Sequence, residues 1–148
     1  MKNKHILFLL TVFALTSFGF TGCSGGKAGQ KEITSANIDP ENPPVMDFED
    51  TLYKFGTISQ GQTVKHTFVF VNNGKSDLVI QSVDGSCGCT IPKSWPKEPV
   101  GPGEKGEIEV NFNSESKEGK QRVRVTVLAN TVPTKNVLHL WGNVVVPE

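Results

Sequence analysis

No stretch of this 148-residue chain repeats its apolar side chains at a helical period, and no internal repeat is visible. An architecture built from helices is therefore excluded. The chain also lacks a Gly-x-Ser-x-Gly elbow, a His-Glu-x-x-His pair and a phosphate-cradling Gly loop. Those are the local arrangements that nucleophilic, zinc-dependent and nucleotide-dependent catalysis require. Excess charge is missing as well, with 15 Lys and Arg against 15 Asp and Glu. Nucleic acid needs a basic field and finds none in that balance. The longest apolar run, Ile6 to Phe20, spans about 15 residues, or ~23 Å as a helix at about 1.5 Å per residue. That is short of a hydrocarbon core about 30 Å thick.

What the amino end does contain is a leader. Lys2 and Lys4 precede the apolar run, and Thr21-Gly22-Cys23 follows it with small residues up to a cysteine. This is the anatomy of a secretory signal over residues 1–22. A small residue directly before a Cys resembles the lipobox of bacterial lipoproteins, with Phe20 standing where Leu is usual. The resemblance implies lipidation of Cys23, which becomes the first residue of the mature chain. An unpaired exported thiol is otherwise a liability in an oxidising compartment. Without the leader the balance is 13 basic to 15 acidic side chains, since only Lys2 and Lys4 are lost. Acyl chains, rather than charge, would then hold the protein to a membrane. Residues 23–44 carry Gly25-Gly26, Gly29, Pro40, Pro43 and Pro44 and almost no large apolar side chain. They read as a flexible tether, and about 20 such residues span roughly 25 Å root-mean-square.

Residues 45–148 read as the folded domain. Phe48, Leu52 and Phe55 mark a first strand region, and Gln60-Gly61-Gln62 a turn. Val64, His66, Phe68 and Phe70 then alternate with Lys65, Thr67, Val69 and Val71, which is the period of a half-buried strand. Asn72-Asn73-Gly74-Lys75 supplies turn residues. Leu78, Ile80 and Val83 form a third strand that ends at Ser86-Cys87-Gly88-Cys89-Thr90. Pro92, Pro96, Pro99 and Pro102 forbid a central strand after it, and Pro102-Gly103 fits the centre of a type II turn. Alternation returns at Ile108, Val110 and Phe112, at Val123, Val125 and Val127, and from Leu138 to Val145. About seven short strands with turns between them predict an all-β, Ig-like antiparallel β-sandwich of about 100 residues. The strands at 107–112 and 122–127 read as a hairpin, with Glu107 and Glu109 facing Arg122 and Arg124 as cross-strand ion pairs. Lys120, Arg122 and Arg124 then read as a neutralised, solvated face.

Taken together, these segments resemble the bacterial Ig-like family called domain of unknown function 1573. The resemblance rests on Phe55-Gly56-Thr57-Ile58, Gly61, Phe68-Val69-Phe70-Val71-Asn72-Asn73-Gly74 and Leu78-Val79-Ile80. It continues through Ser86-Cys87-Gly88-Cys89-Thr90, Pro102-Gly103 and Leu138-His139-Leu140-Trp141-Gly142-Asn143-Val144, covering nearly all of the folded part. It implies an Ig-like sandwich, often on an exported lipoprotein of Bacteroidota-like bacteria. It implies no activity.

The one place where chemistry could concentrate is Cys87-Gly88-Cys89. In extended chain these cysteines point to one face about 6.6 Å apart, at the edge of disulfide reach. Gly88 could tighten the segment through a positive φ. Three readings stand side by side. The pair is structural, as two half-buried thiols or as a small strained bridge. It binds copper or zinc, with His66, His139 or Met46 completing the ligands. Or it is a redox switch, which needs an exposed thiol of low pKa. Asp47, Glu49 and Asp50 cluster where solvation explains them. Trp95, in the proline-rich loop, and Trp141 are candidates for stacking on a partner or a sugar, with Trp95 the preferred partner contact. Asp50-Thr51-Leu52 resembles a short bacterial acceptor pattern for O-glycosylation. The sequence thus predicts a lipid-anchored cell-envelope module without catalytic residues or cofactor, whose partners are a membrane and another envelope protein, and not nucleic acid.

Overall fold

Alternation along the strands determines which side chains turn inward, and the computed structural model describes the outcome for residues 41–147. The leader, Cys23 and the tether up to residue 40 lie outside the described residues. Eight strands form: β1 (Met46–Phe48), β2 (Leu52–Ser59), β3 (Thr63–Asn72), β4 (Ile80–Gly85), β5 (Thr90–Ser94), β6 (Lys105–Asn113), β7 (Gly119–Ala129) and β8 (Lys135–Val145). They divide into a first sheet of order β1-β3-β6-β5 and a second of order β2-β8-β7-β4. The sandwich expected from the alternation is therefore present.

Between the sheets lies a single apolar layer. Phe68 and Phe70 on β3 and Ile108, Val110 and Phe112 on β6 face Val125 and Val127 on β7 and Leu138, Leu140 and Val144 on β8. Each is essentially inaccessible, and burying a side chain of this size contributes about 1.5–3 kcal/mol. The inward parity of β3 is the one that alternation marked, and its outward residues Lys65 and Thr67 are exposed.

The chain differs from its sequence reading at five places. The first strand region is two strands in opposite sheets, because the chain crosses the sandwich between Phe48 and Leu52. Leu52 consequently stands on an outer face, 43% exposed. β2 runs parallel to β8, within sheets that are otherwise antiparallel. The proline-rich crossing contains β5, which tolerates Pro92 because it is an edge strand. Finally, the segment expected as the end of a tether is packed: Pro44 is buried, and the Asn42 carbonyl accepts a 2.7 Å hydrogen bond from Ser76 Oγ.

The predicted hairpin is also corrected. β6 pairs with β3 and β5 in the first sheet, whereas β7 pairs with β8 and β4 in the second. Residues 114–118 cross the sandwich instead of closing a hairpin. Buried Ser114 anchors the crossing by donating from Oγ to the Gln62 carbonyl at 2.7 Å. Glu107 and Glu109 therefore sit opposite Val69 and Thr67, while Arg122 and Arg124 sit opposite Trp141 and His139. The acids and the arginines point out of opposite faces of the molecule.

Candidate functional site

The Cys-Gly-Cys stretch lies where the chain passes from β4 in the second sheet to β5 in the first. Cys87 and Cys89 are joined as a disulfide, with their Cα atoms 5.2 Å apart. The turn is closed by Thr90 N–H donating to the Cys87 carbonyl at 3.1 Å, and Asn113 N–H donates to the Cys89 carbonyl at 2.8 Å. Both sulfurs are half-buried against the core, 3.7 and 3.9 Å from Thr90 Oγ1. The bridge thus braces the passage between sheets.

The proposed additional metal ligands are not brought to it. Met46 is buried in β1. His66 stacks on Tyr53 at a centroid separation of 3.7 Å and meets the edge of Phe68 at 4.5 Å. His139 stands on the outer face of the second sheet. Among the described residues, no three His, Cys, Asp or Glu side chains converge as a metal cage. Burial pushes the His66 imidazole below its ordinary pKa, with nearby Asp50 pulling in the opposite direction. Of the remaining acids, Asp47 accepts from Asn73 Nδ2 at 2.7 Å and Glu49 pairs with Lys105 at 3.3 Å. These are surface contacts. Thr51 is exposed just before β2.

The two tryptophans have different fates. Trp95 is half-buried against the core, and Lys97 Nζ lies 3.1 Å from its ring centroid. Part of its indole is thereby covered. Trp141 projects from the middle of β8 and is 44% exposed. It lines two open depressions. One, of about 310 Å³, is shared with Leu52 and Arg122. The other, of about 280 Å³, is bounded by Lys54, Lys120 and Asn143. Arg122 also borders a third depression of about 220 Å³, together with Ser86, Arg124 and His139.

Register explains this assembly. β7 turns Val123, Val125 and Val127 inward, so Lys120, Arg122 and Arg124 turn outward beside Asn143, Trp141 and His139 of β8. Lys54 of β2 pairs across from Trp141 on its other side, with Nζ 5.6 Å from the ring centroid. Among the described residues, the single ion pair joins Lys105 and Glu49, so none of these four cations is neutralised by a carboxylate. Asp84, on the far edge strand β4, is held by Ser82 Oγ at 2.8 Å. Sequence reasoning preferred Trp95, yet the signal for Trp141 was present. It occupies the parity opposite Leu138 and Leu140, whose pattern marks them as core.

Among the described residues there is no helix, and the fold is an Ig-like β-sandwich with an exposed aromatic side chain on one outer face. The chain belongs to the family described as "Protein of unknown function (DUF1573)", which matches residues 46–144. No curated protein matches it in sequence. Among solved structures it is similar to a Porphyromonas gingivalis W83 protein of unknown function, at 15% identity and a TM-score of 0.59. That match covers 68% of this chain and 46% of the other, so the chain spans under half of that protein. It is also similar to PapD-like domain 7 of human CEP192, an ASH domain, at 10% identity and a TM-score of 0.57. There the match covers 81% of this chain and 98% of the domain. The secreted serine protease VesC of Vibrio cholerae shares the fold over 67% of this chain and 23% of its own, at 12% identity and a TM-score of 0.56. At these identities the likeness is one of fold.

Proposed function

We propose that the protein is a lipid-anchored, non-catalytic binding module of the cell envelope that engages its partner through the outer face of the second sheet. The observation that carries this reading is Trp141, 44% exposed at the centre of a strand and flanked by four cations that no carboxylate among the described residues pairs with. An aromatic ring surrounded by apolar and charged neighbours on an outer face is the composition of a contact surface. Leu52, Val137 and Val145 extend its apolar part. Cys23, directly after the leader of residues 1–22, and the tether behind it supply the anchor and the reach.

Two experiments test the reading. Cys23→Ser should move the protein from the membrane fraction to the soluble envelope fraction. Unchanged membrane association removes the lipid anchor from the account. A photo-crosslinking residue at position 137, on the Trp141 face, should capture envelope material in cells. The same residue at position 67, on the outer face of the first sheet, should not. Equal capture at both positions, or none at 137, removes the face from the account.

A further inference from the structure

We propose that the outer face of the second sheet binds an acidic glycan, a polysaccharide carrying carboxylates along its chain. This rests on the reading of that face as the binding surface and specifies its ligand.

The three depressions adjoin one another across shared walls. Trp141 belongs to the first two, and Arg122 to the first and third. Together they run from Lys54 and Lys120 past the indole to Arg124 and His139. A linear ligand can therefore lie across them. Lys120, Arg122 and Arg124 recur at every second residue of β7, about 6.6 Å apart at ~3.3 Å per residue. Cations at that spacing meet carboxylates repeated along a polymer, and the two guanidinium groups can each grip one in bidentate fashion. Among the described residues, no acid lines any of the depressions.

Other polyanions fit less well. β7 and β8 are each paired on both sides, so their backbone N–H and C=O groups are spent within the sheet. An acidic peptide laid on this face finds no main-chain partners, although these supply the affinity when a peptide joins a sheet edge. A sugar needs none, since its ring packs on an exposed indole and its hydroxyls meet side chains. Single-stranded nucleic acid wants successive stacking aromatics in a basic field. Among the described residues, Trp141 is the one large aromatic ring exposed on this face, and the whole chain balances 15 basic against 15 acidic residues.

The test uses the full chain in micelles of a zwitterionic detergent, titrated with oligogalacturonate. Comparison probes are a neutral oligosaccharide of equal length, polyglutamate of equal charge, oligothymidylate, and the same micelles doped with an anionic lipid. Oligogalacturonate should bind saturably and at least about tenfold more tightly than each of the others. Its affinity should fall as salt shortens the Debye length from about 10 Å to about 3 Å. Trp141→Ala, and separately Arg122→Gln combined with Arg124→Gln, should each weaken binding by about tenfold or more. The arginine pair should also flatten the salt dependence. Lys65→Gln on the opposite face should leave binding unchanged, and Trp141→Phe should retain part of it with an unaltered circular dichroism spectrum. Equal binding of the neutral sugar, or equal or better binding of polyglutamate, oligothymidylate or anionic lipid, overturns the proposal. So does an absence of oligogalacturonate binding. If capture at position 137 persists in that case, the face keeps its role and only the glycan is wrong. If capture is lost too, the reading of the face fails with it.

Discussion

At position 72 one amide side chain ties three segments together. Fully buried Asn72 accepts from Val45 N–H and Gly74 N–H through Oδ1, and donates through Nδ2 to the carbonyls of Ser76 and Val100. All of its polar capacity is used. Asn72→Ala would leave several buried backbone groups unsatisfied and should cost at least about 2–3 kcal/mol. In a domain of about 100 residues that lowers Tm by roughly 10–20 °C, measurable by thermal denaturation. His66 yields a pH prediction. Its folded pKa lies below the unfolded value, so the neutral ring is favoured in the fold. The unfolded chain then binds the extra proton first as pH falls. The associated stability is present above about pH 6.5 and lost below it, toward the folded pKa. His66→Gln should flatten that part of a stability–pH curve measured by denaturant unfolding. For Cys87 and Cys89, protein purified without reductant should show no reactive thiol at either position. Removing the bridge with Cys87→Ser and Cys89→Ser should cost about 1–2 kcal/mol, the loop-entropy value for so small a ring. Two reactive thiols in unreduced protein would contradict the bridge. The sequence located this pair and its disulfide option but left metal and redox readings open. Which side chains converge on the sulfurs is a tertiary fact, and His66, His139 and Met46 all lie elsewhere.

At the scale of strands, β3, β6, β7 and β8 were legible because one face of each is buried and period-two alternation records it. β5 was hidden by Pro92, and the split between β1 and β2 by the irregular spacing of Phe48, Leu52 and Phe55. The hairpin failed for a different reason. Consecutive alternating strands joined by a polar turn usually pair, and alternation carries no mark of a crossing between sheets. The corrected arrangement makes a direct prediction. A double-mutant cycle between Glu107 and Arg122 should give no coupling beyond about 0.3 kcal/mol, because the two side chains leave opposite faces of sheets about 10 Å apart. Coupling of about 0.5–1 kcal/mol would restore the hairpin. β8 is also constrained from within. The Phe55 ring of β2 occupies the space a Cβ at Gly142 would need, and that ring stacks on Phe112 at 5.3 Å. Gly142→Ala should therefore destabilise the fold by about 1–3 kcal/mol through overpacking, read from the denaturant midpoint.

Over the whole molecule, the near-neutral composition conceals a segregation of charge. The outer face of the first sheet mixes Lys65 and Lys105 with Glu107, Glu109 and Asp47, whereas the centre of the opposite face carries Lys54, Lys120, Arg122 and Arg124 around an indole. Composition alone could not reveal this, because Glu107 and Glu109, which offset the arginines in the sum, project from the opposite face. The most direct measurement of the account is amide-resolved chemical-shift mapping of the full chain during titration with oligogalacturonate. Binding on the second sheet predicts saturable shifts confined to 52–57, 120–124 and 137–143, with 65–69 and 107–111 unmoved. Shifts concentrated on the first sheet, or spread evenly over both faces, would contradict it.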